Sequence, residues 1–221
     1  DMIKDFEYRG FTVINTNECH DICSDKVMNQ IVFDRYNFNT PKTVRVYHSE
    51  GSDEALKELD TKFPIILKTG SGSRGVGVVL VETAASLNSI VQLLYRENEF
   101  QDILLQERID TEYDVRVIVC ADEIVGVMKR PIAEGDFRSN VSQGSKAVTH
   151  TLTKLEAEES LAVARAVEGM LVGVDFIPAK DRKKDRPYFI EVNSTPGLIG
   201  IEDIITGSIV ENILNKLREI K

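Results

Sequence analysis

No apolar run in this sequence approaches the roughly 18 residues that a membrane-spanning helix needs, which excludes a transmembrane reading. Its start, DMIKDFEYRG, lacks the basic flank, apolar stretch and small-residue cleavage site of a secretory signal, so a cytoplasmic protein is expected. Positive charge is in deficit: 27 lysines and arginines face 36 aspartates and glutamates, a formal charge of −9. Nonspecific nucleic-acid binding wants a broad basic surface, so nucleic acid is not an expected partner and any anion must be gripped locally. Cysteine is scarce as well. Cys19 and Cys23, with His20 between them, make at most an incomplete metal set without a second CxxC-type pair, and free thiols are expected. Internal repeats and low-complexity linkers are also missing.

What is present suits a globular chain with a cleft. At 221 residues, 42% apolar and 29% charged, it can bury a sizeable core, and two lobes are expected. Residues 1–15 read as a short helix and then a strand through Phe11 and Val13, and 25–33 mixes apolar and polar residues at helical spacing. Pro64-Ile-Ile-Leu-Lys68 reads as a buried strand, followed by the glycine-rich TGSGSRGVG and a second strand, Val78-Val-Leu-Val81. Ser86 then caps a helix with Leu87, Ile90, Val91 and Leu94 on one face. ILLQERI from Ile103, then 114–120 and 124–130, read as antiparallel neighbours, the last two joined by a turn at Ala121-Asp122-Glu123. Thr153 with Glu156 is a capping-box signature opening a helix with Leu161, Ala164, Val167 and Met170. Strands over 171–177 and 187–193 flank the charge run KDRKKDR, read as a solvated turn, and a last amphipathic helix carries Ile209, Ile213, Leu214, Leu217 and Ile220.

The chemistry begins at the glycines. Gly70-Ser-Gly72-Ser-Arg-Gly75 satisfies GxGxxG formally, but a strand rather than a helix follows, so no helix N-terminus can hold a pyrophosphate as in dinucleotide-binding folds. The GK[ST] ending of a P-loop is absent too. What remains is a glycine hairpin whose backbone N–H groups can close over phosphates, with Lys68 at the end of the strand that enters it. Glu191-Val-Asn193 ends a second strand. Strand side chains alternate, so Glu191 and Asn193 share one face while Ile190 and Val192 pack on the other. Two oxygen ligands side by side suit a hard cation such as magnesium, and Asp175 on the preceding strand adds a carboxylate if the two strands pair. The tract Lys129-Arg-Pro-Ile-Ala-Glu-Gly-Asp-Phe-Arg138-Ser-Asn140 gathers basic groups and an amide suited to a developing oxyanion or a phosphoryl group in flight.

Together these motifs resemble the ATP-grasp superfamily, and within it the RimK-like glutamate ligases, from about Gly10 to the C-terminus. The resemblance rests on Asp25-Lys26, PIILK with its glycine loop, LLQERI, EYDVRV, MKRPIAEGDFRSN, GVDFI and FIEVNSTPGLIGIE. It implies an α+β ATP-grasp fold of two lobes with mainly antiparallel sheets. Residues 1–24 would be the remnant of a largely absent N-terminal lobe, 25–108 the small lid subdomain and 109–221 the large catalytic one. It further implies nucleotide contacts from Lys26, Lys68, Gly72, Ser73, Gly75, Asp114 and Lys129, with Gln106, Glu107, Arg108 and Ile109 as a hinge whose backbone reads adenine. Lys68, Arg138 and Asn140 would be catalytic, and Asp175, Glu191 and Asn193 would hold magnesium or manganese. Two departures bear on the acceptor: the stretch between Glu107 and Asp114 is shorter than in the ribosomal-protein glutamate ligases, and VSQGS replaces a more basic segment after FRSN.

The implied reaction is attack of a substrate carboxylate on the γ-phosphoryl of ATP, then capture of the acyl-phosphate by an amine from an amino acid, peptide or protein. A kinase-like phosphotransferase is the first rival, but neither its HRD nor its DFG motif occurs. The second is a non-catalytic nucleotide-binding module. Sequence leaves open the acid, the amine and the oligomeric state, a homo-oligomer included.

Overall fold

Two blocks of β-branched and aliphatic residues form two separate antiparallel sheets in the computed structural model, which describes residues 2–70, 77–133 and 146–219. The smaller sheet runs β1 (Thr43–Val46), β4 (Ile103–Glu107), β2 (Ile65–Thr69), β3 (Val78–Val81). Helices α4 (Ser52–Leu59) and α5 (Ala84–Glu97) cover one of its faces, burying Ile65, Leu67, Leu87, Val91, Ile103 and Leu105 in one core. Strand alternation turns Ile66, Lys68, Leu104 and Gln106 to the opposite face, where they too are largely buried. The expected strand–loop–strand–helix unit is therefore present. Its helix begins earlier than the sequence suggests: Thr83 is the N-cap, and Ser86 is the N3 residue that completes a capping box with it.

The larger sheet runs β7 (Val148–Thr149), β6 (Glu123–Pro131), β5 (Tyr113–Cys120), β8 (Leu171–Ile177), β9 (Tyr188–Asn193). Ala121 and Asp122 take positive φ in the tight β5–β6 turn, as the hairpin requires. ILLQERI does not join these strands; β4 pairs with β1 and β2 instead. The back of the large sheet carries an apolar core. Val115, Val117, Val174, Phe176 and Val192 pack there against α2 (Asn17–Ser24), α3 (Lys26–Arg35) and α6 (Lys154–Ala166), each fully buried side chain contributing about 1.5–3 kcal/mol. Val32 and Phe33 of α3 belong to this core, so packing ties residues 26–35 to the large sheet, although sequence grouped them with the small lobe. On the front, Ile118, Cys120 and Met128 are sealed by α7 (Ile199–Glu202) and α8 (Ile209–Glu219).

Three local expectations are corrected. Residues 11–13 form no strand; after α1 (Met2–Tyr8), which buries none of its own residues, the chain is irregular up to α2. The charge run is not fully solvated, because Arg182 binds the buried Glu156 of the α6 capping box (2.7 Å) and Arg186 binds Glu159. Ile190 does not join Val192 in the core behind the sheet. The register shifts there, Asp175 facing Glu191 and Phe176 facing Phe189, so Ile190 is an extra residue that keeps Glu191 opposite Asp175.

Candidate active site

Parity along the strands assembles the site. Asp114 faces Arg130, Arg116 faces Asp175, and Asp175 faces Glu191 across neighbouring strands, so all five share the front face of the large sheet. The side chains form one network. Arg116 forks onto both oxygens of Asp175 (Nε 2.7 Å, NH2 2.6 Å), and Arg130 forks onto Asp114 (2.7 and 2.6 Å) while reaching Asp175 at 3.0 Å. With its amide oriented to satisfy both ends, Asn193 donates to Glu191 Oε1 (2.9 Å) and accepts from Arg116 (3.2 Å).

Burial opposes ionisation of Asp175, but Arg116 and Arg130 outweigh it and hold the carboxyl below its usual range. Arg130 is locked in its charged form: burial works against the charge, and Asp175 with Asp114 more than compensates. Glu191 behaves differently. Burial and the neighbouring Asp175 charge push its carboxyl up, against the pull of Lys26, Lys68 and Arg116. Two carboxylates on one face, one of them incompletely neutralised, form a donor set that a divalent cation would relieve. Asp175 keeps spare lone pairs while bound to its arginines. Among the described residues no three His, Cys, Asp or Glu side chains converge; the third oxygen here is the amide of Asn193.

Across the cleft stands Lys68. Burial lowers its ammonium to about 8, Glu191 pulling it back up and Lys26 lowering it further, so all three groups feel one another's field. A cavity of about 300 Å³ lies beside them, lined by Cys23, Ser24, Lys26, Glu191, Asn193, Ser194 and Thr195. Asp25 caps α3 by accepting from Val27 and Met28, and the Lys26 N–H donates to the Gly70 carbonyl (3.0 Å), tying the start of α3 to the entrance of the glycine loop. Thr69 N–H to Gly77 O (2.8 Å) closes the base of that loop. Gly70 itself has no alternative, since a Cβ there would lie 2.6 Å from Asp102 Cβ.

The structure thus brings together Lys26, Lys68, Asp114, Asp175, Glu191 and Asn193. Gln106 reaches the cleft side of β4, its amide held by Thr43 (2.7 Å), and the Glu107 carboxylate accepts from the Lys42 N–H (2.7 Å). Arg108 is partly exposed beside Asp110, and Ile109 follows in the link between the two sheets. Lys129 is not brought to the group. It faces Val115 on the back of the sheet with its ammonium 3.8 Å from the Tyr113 ring centroid, since adjacent strand residues point to opposite faces and Arg130 takes the front. Gly72, Ser73, Gly75, Arg138 and Asn140 lie outside the described residues. Sequence reasoning missed Arg116, and took Arg130 only as one of the basic groups of its tract. The signal was available: alternate positions Asp114 and Arg116, and Met128 and Arg130, place charge on the face that elsewhere carries Ile118 and Cys120.

Comparison with known proteins extends these observations. Residues 23–217 match the family model described as the RimK-like ATP-grasp domain. A "probable alpha-L-glutamate ligase" of Xanthomonas oryzae pv. oryzae is 32% identical over 223 residues, covering 98% of this chain and 73% of that protein. Among solved structures, D-alanine–D-alanine ligase from Bacillus anthracis complexed with ATP superposes with a TM-score of 0.72 at 20% identity, over 98% of this chain and 74% of that one. The ATP-grasp ligase PsnB, complexed with a precursor variant, Mg and ADP, gives 0.74 at 17% identity, over 99% and 65%. With a matching family model across most of its length and a relative 32% identical across nearly all of this chain, the chain belongs to the RimK-like ATP-grasp family.

Proposed function

We propose that this chain is an ATP-dependent carboxylate–amine ligase that makes an amide bond through an acyl-phosphate, with glutamate as the amino acid joined. One observation carries the reading of the site: Asp175, Glu191 and Asn193 share a face that looks across the cleft at a buried lysine on the strand that enters the glycine loop. The family membership and the glutamate-ligase relative support the reaction and the amino acid.

In this reading Asp175, Glu191 and Asn193 would hold a magnesium or manganese ion. Such an ion, when bound, neutralises charge on the phosphates and orients them. The protein's own groups do the rest. Lys68, desolvated and in the field of Glu191, is held ready for an anion, and a phosphoryl group entering the cleft would favour its charged form. Lys26 flanks the same phosphates from the start of α3. Asp114 acts through Arg130, and Arg116 through Asp175 and Asn193, fixing the oxygens in direction. Backbone of Gln106, Glu107, Arg108 and Ile109 would read adenine, and the loop around Gly72, Ser73 and Gly75 would exclude water so that the activated acid meets an amine first. Arg138 and Asn140 remain proposed for the developing oxyanion. Within this reading, 25–108 acts as the lid unit, apart from α3, which packs on the large sheet, and 109–221 acts as the catalytic unit.

The test is release of ADP by the purified chain with magnesium, ATP, glutamate and a panel of carboxylate acceptors. Turnover that needs both an acid and an amine is expected. ATP-dependent thermal stabilisation without turnover for any pair would contradict the ligase and favour a binding module.

A further inference from the structure

We propose that Cys19 and Cys23 form a peroxide-oxidisable dithiol whose closure into a disulfide weakens nucleotide binding at the adjoining cleft; the second half of this rests on the reading of that cleft given above. The two thiols sit four residues apart on α2, so both project to one side of the helix, and their sulfurs are 3.9 Å apart in hydrogen-bonding contact. One helical turn separates Cα atoms by about 6 Å, inside the span a disulfide bridges. The third thiol offers no such partner: Cys120 lies in the core under α8, with its sulfur against the Ile213 carbonyl (4.0 Å).

Access and consequence both come from position. Cys19 is fully buried, but Cys23 forms part of the wall of the cavity lined by Lys26, Glu191 and Asn193, so a small oxidant entering the cleft meets it first. Hydrogen peroxide adds oxygen to one of the two sulfurs: the O–O bond breaks, an S–O bond forms and one water leaves. The other sulfur then attacks the oxidised one, the S–O bond breaks, the S–S bond forms and a second water leaves. The two thiol protons end in the two waters, and the pair has given two electrons to the peroxide. An S–S bond is about 2 Å long, so the sulfurs must close roughly half their present separation. The strain falls on the last turn of α2, where Cys23 is followed by Ser24, the capping Asp25, and Lys26 with its bond to Gly70. Closure therefore moves the cavity wall and the anchor of the glycine loop together.

The experiment treats the full chain with hydrogen peroxide, maps disulfides by mass spectrometry after alkylation, and titrates magnesium–ATP by calorimetry before oxidation, after it, and after dithiothreitol. A Cys19–Cys23 linkage is expected, with Kd raised about tenfold and restored on reduction. C19S, and C19A should the serine variant fold poorly, is expected to bind as the reduced protein does and to form no linkage. Absence of the linkage in the oxidised chain overturns the proposal, as does a linkage with unchanged Kd. Reduced protein that does not bind ATP at all overturns the reading of the cleft and, with it, the coupling; reduced and oxidised proteins that bind equally overturn the coupling alone.

Discussion

The front face of the large sheet has two ends that differ in what covers them. At one end Ile118, Cys120 and Met128 meet the apolar side of α8 and Ile201 of α7, and the face is sealed by protein. At the other, on the same strands and with the same parity, Asp114, Arg116, Arg130, Asp175 and Glu191 crowd together outside the cluster that α7 and α8 seal. Burying that many ionised groups costs several kcal/mol each unless they are paired, and here arginines pair two of the three carboxylates. A fold does not need this to close a sheet; leucines would serve better. We read the charged end as the place where a ligand, rather than a helix, completes the face, with Glu191, whose carboxyl burial and Asp175 push up, as the group a cation would relieve.

The sharpest way to break this comparison is to remove single charges from the charged end. Asp175→Asn leaves Arg116 and Arg130 partly unpaired in a buried setting, so the account expects a loss of about 3–5 kcal/mol in denaturant-measured stability together with loss of ATP turnover. Glu191→Gln should abolish turnover without that loss. Its carboxyl is raised in the folded chain, so the native state holds a proton more tightly than the unfolded one. The ionised group therefore contributes less stability as pH rises through the unfolded carboxylate range, and a neutral amide removes that penalty. Equal destabilisation by the two variants would erase the distinction between framework and ligand site.

Lys68 gives the next largest effect. Its folded value of about 8 lies below the ordinary lysine 10.5, so the unfolded chain binds more protons between them and stability should rise as pH climbs from about 8 to about 10.5. Lys68→Met should stabilise the free chain at neutral pH by on the order of 2 kcal/mol, flatten that rise, and weaken ATP binding. Denaturant melts at two pH values, with nucleotide titrations, decide it. Gly173→Ala is a smaller perturbation. A Cβ there would come within 2.8 Å of Pro196 Cβ, forcing the turn after Asn193 outward, with an expected cost of about 1–3 kcal/mol and weaker metal-dependent binding. Lys129→Met should do least: ATP affinity unchanged, since its ammonium lies on the back of the sheet over Tyr113.

How much of this was readable beforehand follows from what kind of signal each part left. Short-range grammar was legible: the strand–glycine–strand–helix unit, the Thr153–Glu156 capping box and the β5–β6 turn each rest on residues within a few positions of one another. So did the grouping of Asp175, Glu191 and Asn193, because strand parity predicts it once the two strands pair, even though the bulge at Ile190 was invisible. Long-range choices were not legible. Nothing local tells Ile103–Glu107 to pair with Ile65–Thr69 rather than with the strands that follow it. The alternation of Asp114 with Arg116 resembles a solvated strand face until the partner arginine from β6 is known, and the face taken by Lys129 hangs on the same register. The apolar residues at 11–13 suggest a strand by propensity, but they find no neighbour to pair with among the described residues.

The central claim is that the uncovered, charged end of the sheet binds nucleotide through a divalent ion held at Glu191. Calorimetric titration of ATP, with and without magnesium, into the unaltered chain and into Glu191→Gln tests it directly. The account predicts tight binding only for the unaltered chain with magnesium, and a drop of at least about tenfold when either the ion or the carboxylate is removed. Magnesium–ATP binding to Glu191→Gln at the affinity of the unaltered chain would contradict it.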